Sequence, residues 1–185
     1  TAGFTYNGYD GRESVSVRGV KKLEAELELQ CPDKTYTLQE YIRRLAQVPL
    51  AFEPGTHWQY SLAHTVLGGL VERLSDMSLG EYMKQNIFSP LGMEDTFFRI
   101  PEDKKMRLAV LYQPDGDGGV QKVTNKDACF MPKAVYENGG GGLLSTLDDY
   151  LKFAYALCKG GAGSNCRRIL GRKTVDFMCQ NHLNE

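Results

Sequence analysis

The chain has 185 residues, 42% of them hydrophobic and 24% charged, with a formal net charge of -1. That is the make-up of an ordinary globular protein of one domain or a domain and a half. No Lys/Arg block asks for nucleic acid or an anionic membrane surface, and no apolar run approaches the roughly 18 residues of a membrane span.

Residues 1 to 34 are rich in Gly, Tyr and charge without a sustained period, so they read as mostly irregular with a short helix over residues 19 to 29. Thr37 and Glu40 form a capping box, and Leu38, Tyr41, Ile42 and Leu45 follow at i, i+3, i+4 and i+7, which predicts a helix with one apolar face. A second helix is expected from near Ser61. Leu62, Val66, Leu67, Leu70, Val71 and Leu74 give it a wide apolar stripe, the pattern of a central helix covered on more than one side. Gly68 and Gly69 inside it cost about 1 kcal/mol each relative to Ala, a cost that close packing against another backbone would offset. Ser78 and Glu81 box a third, short helix with Tyr82, Met83 and Ile87 inward, ended by Pro90-Leu91-Gly92-Met93.

Farther along, residues 107 to 112 suggest a short strand. Gln113 to Gly119 form a turn cluster, and residues 120 to 123 pair back as a hairpin. Asn138-Gly139-Gly140-Gly141-Gly142 is a glycine run. Ser145 or Thr146 then caps a helix whose expected apolar face is Tyr150, Phe153, Ala154 and Leu157, with Lys159-Gly160-Gly161 as its stop. A last helix covers residues 172 to 180. The pattern is mainly α, with few and short strands. Cys31, Cys129, Cys158, Cys166 and Cys179 are odd in number, widely spaced and without a C-x-x-C, so they read as free thiols packed as small apolar side chains. Unpaired thiols lean toward a reducing, cytoplasmic compartment. No metal-ligand spacing is present, and no cofactor is expected.

The most informative stretch is Phe52-Glu53-Pro54-Gly55-Thr56-His57-Trp58-Gln59-Tyr60-Ser61-Leu62. A Pro-Gly turn delivers Trp58 and Tyr60 to the mouth of the apolar second helix. A phenol has a pKa near 10, so service as a base near neutrality needs it lowered by about 3, on the order of 4 kcal/mol. A lysine ammonium close by supplies part of that. Trp58 reads as an anchor beneath this loop or as a ring facing substrate. His64 falls one turn after Ser61, but no carboxylate is placed to orient it as a triad needs. The glycine run lacks the G-x-x-x-x-G-K-[ST] pattern of a phosphate cradle. It reads instead as a tight loop at a pocket rim, where Gly140 and Gly141 leave room for substrate. Asp148 and Asp149 look like first-turn acids favouring the helix dipole, and Glu94-Asp95 like a solvated turn.

Three blocks in order carry a resemblance: Phe-x-Pro-Gly-x-x-Trp-x-Tyr-Ser before an apolar helix, then Ile87-Phe88-Ser89-Pro90-Leu91-Gly92-Met93-Glu94-Asp95-Thr96, then Gly-Gly-Gly-Leu-x-Ser-Thr-x-x-Asp ending at Asp149. Together they resemble the serine β-lactamase and penicillin-binding-protein superfamily, in its class C-like branch of carboxylesterases and DD-peptidases. Thr1-Ala2-Gly3-Phe4 resembles a segment after that family's nucleophile helix, and Asn181-His182-Leu183 one shortly before its later strands. The resemblance implies that residues 1 to 185 are the helical subdomain of the β-lactamase/DD-peptidase-like α+β fold, with short hairpin insertions and most of the sheet missing. It also implies a mechanism in which the serine of an S-x-x-K motif attacks a carbonyl and forms an acyl-enzyme. Its lysine and a loop tyrosine share the proton work, and a backbone oxyanion hole with a K-T-G or H-x-G strand completes the site.

Tyr60 matches the family tyrosine, Ser61 the second position of its Y-x-N motif and Leu62 the third, while Trp58, Leu62, Gly140 and Gly141 are expected at the substrate. Two departures matter. Leu62 cannot hold a substrate amide as an Asn can, which moves the expected substrate from β-lactams or D-amino-acid amides toward small esters. No serine in the chain is followed three positions later by lysine, and Lys173-Thr174-Val175 only begins like K-T-G. The expectation is therefore an internal segment truncated at both ends, carrying the tyrosine loop, inactive alone, and partnered by the rest of its parent chain. A non-catalytic binding or scaffold domain on the same fold is the alternative.

Overall fold

The computed structural model describes residues 2–8, 13–123 and 133–182; Thr1, Cys129 and Leu183, named above, lie outside them. Helix α1 is Val15–Gln30, longer than the irregular pattern of its sequence suggested. Ser14 sets its start, its Oγ accepting the Val17 N–H at 3.1 Å, and Val17, Val20, Leu23 and Leu27 make its buried face. In α2, Leu38–Leu45, Thr37 caps the first turn and Leu38, Tyr41 and Leu45 are buried as their spacing predicts.

Helix α3, Ala63–Ser75, corrects the stripe expectation: Thr65, Gly68 and Gly69 are its buried positions, and Leu67, Leu70 and Leu74 lie exposed. The reason is approach distance. Helix α3 packs on α2 and on α4, Leu79–Met83, through its glycines. A methyl on Gly68 would come within 2.9 Å of Leu79, and one on Gly69 would run into Ile42. Gln39 fastens the pair, its Nε2 donating to the Gly69 carbonyl at 2.8 Å and to Glu72 at 3.0 Å. Glu72 also accepts the Leu79 N–H at 3.2 Å.

The box of Ser78 and Glu81 opens α4 with both of its hydrogen bonds made. The helix then passes through a single π turn over Lys84–Phe88 into α5, Ser89–Leu91, and stops at Gly92, whose φ of 69° suits glycine. Ahead of the strand expected over residues 107 to 112, Glu102–Arg107 coils into a 3-10 helix, and the strand itself begins only at Tyr112. The basic side chains of the 3-10 helix explain this: Lys104 reaches Asp95 at 2.6 Å, and Arg107 grips both oxygens of Asp95 at 2.9 and 2.8 Å. Asp95 is thus no solvated turn residue. The hairpin follows, with β1 (Tyr112–Pro114) antiparallel to β2 (Val120–Lys122) and Gln113 opposite Gln121.

Thr146, not Ser145, caps α6, Leu147–Cys158. Its inward positions include Asp149 and Ala156, with Phe153 packed beside Ala156, while Tyr150 faces out against expectation. Helix α7 is Arg172–Met178. Among the described residues the architecture is mainly α with one small two-stranded sheet. One core joins α1 and α2 through Val20, Leu23, Leu27, Tyr41 and Leu45 to Leu62. A second gathers Phe88, Leu91 and Met93 on Ala156. Of the described cysteines, Cys158, Cys166 and Cys179 are exposed rather than packed as small core side chains, and Cys31 is half-buried. Among the described residues no helix is long and apolar enough to cross a membrane.

Asp149 ties the two ends of the second core together, a role beyond the helix dipole. Its buried carboxylate accepts the Asp95 N–H at 2.7 Å, the Thr96 hydroxyl at 2.9 Å and the Lys152 ammonium at 2.9 Å. Burial alone would raise its pKa; the bonds from Lys152, the Asp95 N–H and Thr96 outweigh that and hold it below the usual carboxylate range. Asp95 is held lower still, first by Arg107 and then by Lys104. Both depressed groups contribute stability that is fully present above the unfolded pKa of about 4 and is lost as pH falls toward their folded values. The urea midpoint of the wild type should therefore hold from neutrality to about pH 5 and decline below about pH 4. Asp149→Asn should cost about 1.5–3 kcal/mol at pH 7 and flatten the acid limb.

Candidate active site

The tyrosine loop takes its shape from its own turn chemistry. Gly55 adopts a φ of 89°, the left-handed conformation that glycine accepts freely, and Thr56 closes the turn on the Glu53 carbonyl through its N–H at 3.1 Å and its hydroxyl at 2.7 Å. Gln59 then anchors the far side, its Nε2 donating to the Thr5 hydroxyl at 2.6 Å. Between these anchors Trp58 is 64% exposed and Tyr60 is 55% exposed. Trp58 is thus no anchor beneath the loop; its ring faces solvent. The ring of Tyr60 stacks on Tyr6, with centroids 5.2 Å apart and planes 22° from parallel. Leu62 points the other way, 4% exposed and in the first core. Ser61 is spent on structure, its Oγ accepting the Ala63 N–H at 3.3 Å as α3 begins.

The glycine run comes to the same place. Asn138 Oδ1 accepts the hydroxyl of fully buried Thr65 at 3.0 Å and the Gly140 N–H at 2.9 Å. Its carbonyl takes the N–H groups of Gly141 at 3.3 Å and Gly142 at 3.0 Å. Gly139 lies flat on α3, where a methyl would stand 2.6 Å from the His64 carbonyl oxygen. A methyl on Gly140 would stand 3.4 Å from the Tyr6 hydroxyl, whereas one on Gly141 would meet open space. Tyr6 therefore stands between the Tyr60 ring, on which it stacks, and Gly140, with Gly141 next in the chain; these residues form the wall of the candidate site. Glu137, just before the run, accepts the Gly80 N–H at 2.6 Å; burial raises its pKa, partly offset by that bond and by Arg99.

Beside this wall opens a cavity of about 670 Å³, reached by Tyr6, Leu62 and Asn138 and floored by Tyr36, Tyr41 and Tyr136. Burial, reinforced by the charge of Glu24, pushes the Tyr36 phenol up to about 12 and those of Tyr41 and Tyr136 higher. These three stay protonated at neutral pH and act as hydrogen-bond donors or packing, not as bases. Two lysines on the cavity wall are taken: Lys21 by Glu13 and Lys34 by Glu28.

Sequence reasoning expected Tyr60, Gly140 and Gly141 at one site but missed Tyr6, which links the first two, as well as Thr65 and the side chain of Asn138. An Asn directly before a glycine run is a signal for side-chain-to-backbone closure of a turn, so Asn138 was open to reading. Tyr6 carried no local signal, since its stacking depends on a partner 54 positions away.

The Beta-lactamase family model matches residues 4–176. Esterase EstB of Burkholderia gladioli is 35% identical over 142 residues, which cover 67% of this chain and 35% of that protein. Lovastatin esterase of Penicillium rubens is 31% identical over 153 residues, covering 77% and 35%. Among solved structures, EstCE1, a hydrolase with promiscuous acyltransferase activity, aligns with a TM-score of 0.73 at 27% identity over 100% of this chain and 49% of its own. The matched regions span about a third of these curated relatives.

The contact between Gly139 and α3 is backbone on backbone, so it cannot yield by a side-chain rotation. Gly139→Ala should lower stability by about 1–3 kcal/mol, read as a drop in the urea midpoint at unchanged slope. An unaltered midpoint would contradict the close packing of the run on α3.

Proposed function

The chain belongs to the Beta-lactamase family, and we propose that it supplies the proton-relay wall of a serine hydrolase that works by acyl transfer on small esters. The observation that carries this reading is Tyr6, whose ring stacks on Tyr60 and whose hydroxyl reaches Gly140, so that it links the tyrosine loop to the glycine run. In the proposed cycle a serine hydroxyl attacks the ester carbonyl as its proton passes to the Tyr60 oxygen. The tetrahedral intermediate collapses, the C–O bond to the alcohol breaks, and Tyr60 returns the proton to the departing alkoxide. Water then repeats the sequence on the acyl-enzyme and releases the acid.

For this Tyr60 needs a cation, because a phenolate near pH 7 is otherwise scarce. The lysines of the neighbouring cavity are paired with Glu13 and Glu28. The proposed source is the lysine of an S-x-x-K motif, which the 185 residues lack. Serine and lysine are thus proposed to come from the rest of the parent chain. Exposed Leu67, Leu70 and Leu74 on α3 and Leu147, Leu151 and Tyr155 on α6 support this, since large apolar side chains in such numbers are usual where more protein packs. On this reading, residues 1 to 185 form the helical subdomain of the complete fold.

Leu62 favours esters over amides. Its side chain is turned into the core, so the third motif position offers no donor or acceptor to an amide substrate. The named esterases among the relatives support the same preference. In the full-length protein Tyr60→Phe should lower kcat on p-nitrophenyl acetate by about 10²- to 10⁴-fold with little change in KM; unchanged turnover would remove Tyr60 from the chemistry. The same enzyme should cleave p-nitrophenyl esters well above nitrocefin, and the reverse order would assign it to β-lactams.

A further inference from the structure

Under the glycine run lies a second cleft, of about 280 Å³, that the proton relay does not use. Its walls are Val71 from α3, Leu79 and Met83 from α4, Ile87 from the π turn, Phe98, and Leu143 just after the run. Leu79 and Phe98 form a buried floor. His64 and Gly141 stand among its lining, four residues along the chain from Tyr60 and one residue from Gly140. Three polar side chains also line it, His64, Tyr82 and Asn138, and Asn138 Oδ1 is already committed to Thr65 and the Gly140 N–H. Most of the contact the cleft offers is hydrocarbon. Its volume falls just short of the roughly 300 Å³ at which pockets hold a whole drug-sized ligand, so it suits one arm of a substrate. From His64 to Val71 it follows α3 for about 10 Å, the reach of a chain of about eight carbons.

We propose that this cleft receives a linear hydrocarbon arm of the ester, which makes medium-chain esters the preferred substrates. The inference rests on the ester-hydrolase reading above. Hydrocarbon entering at Gly141 leaves the ester group near Gly140, on the side where Tyr6 carries the Tyr60 ring. The absence of any side chain on Gly141, whose Cβ position is open space, keeps the entrance clear. The arm could belong to the acid or to the alcohol, and the two are separated by varying each in turn.

The test measures kcat/KM of the full-length protein on p-nitrophenyl esters of two to twelve carbons and, separately, on alkyl acetates of the same lengths. In one of the two series kcat/KM should rise by roughly fourfold per methylene to about eight carbons, the length set by α3, and then fall. Met83→Trp fills the cleft and should move the optimum to about four carbons or fewer, cutting the eight-to-two-carbon ratio at least about tenfold. Ile87→Ala, made as an independent variant, should move the optimum to longer chains. Profiles flat or falling in both series, or an optimum that neither variant moves, would overturn the cleft while leaving ester hydrolysis standing. If no ester is turned over at any length, the hydrolase reading fails. Octanoate titrated into the wild type and Met83→Trp, followed by NMR, then decides the cleft: binding weakened about tenfold or more in the variant supports it, and equal or absent binding overturns it.

Discussion

The closeness of the glycine run to helix α3 is the constraint on which the rest of the site depends. Gly68 and Gly139 meet almost backbone to backbone, with the Cβ position of each 3.5 Å from the Cα of the other. A side chain at Gly139 would meet the His64 carbonyl and lift the run from the helix, and one at Gly68 would run into Leu79. At this separation Asn138 reaches the Thr65 hydroxyl on the helix while it accepts the Gly140 N–H within the run. Each such bond is worth only about 1 kcal/mol net, and glycine in a helix costs about as much. The arrangement gains its value from position: it brings Gly140 to the Tyr6 hydroxyl, and Tyr6 carries the ring of Tyr60.

A division of labour among the tyrosines follows. Tyr36, Tyr41 and Tyr136 pack on one another with ring centroids 5.0 to 6.3 Å apart, and their raised pKa values keep them neutral. Tyr60 stands apart from this cluster on an exposed loop held by Thr56 and Gln59. Burial works against ionising a phenol, so a relay tyrosine belongs where an incoming cation can reach it and not in the core.

Much of this was legible in the sequence, for reasons that can be named. Capping residues and i, i+3, i+4 spacing gave α2 and the start of α4, because local bonds decide helix ends there. The Pro-Gly turn and the aromatic pair after it marked the loop. The stripe of α3 misled because hydrophobicity counts which side chains are apolar and not how near the neighbours come; two glycines let α2 and α4 in so close that the helix turned its small face inward. The strand expected over residues 107 to 112 starts only at its last residue, since Asp95 captures Lys104 and Arg107 and coils the segment ahead of it. Asp149 read only as a first-turn acid favouring the helix dipole, because its partners Asp95 and Thr96 lie more than 50 positions away.

The most direct measurement is active-site labelling with a fluorophosphonate, followed by peptide mapping of the full-length protein and of the 185-residue chain alone. The account predicts one labelled serine in the full-length protein, in an S-x-x-K peptide outside residues 1 to 185, and no label on the chain alone. Label on Ser61, or on any other serine of these 185 residues, would contradict it.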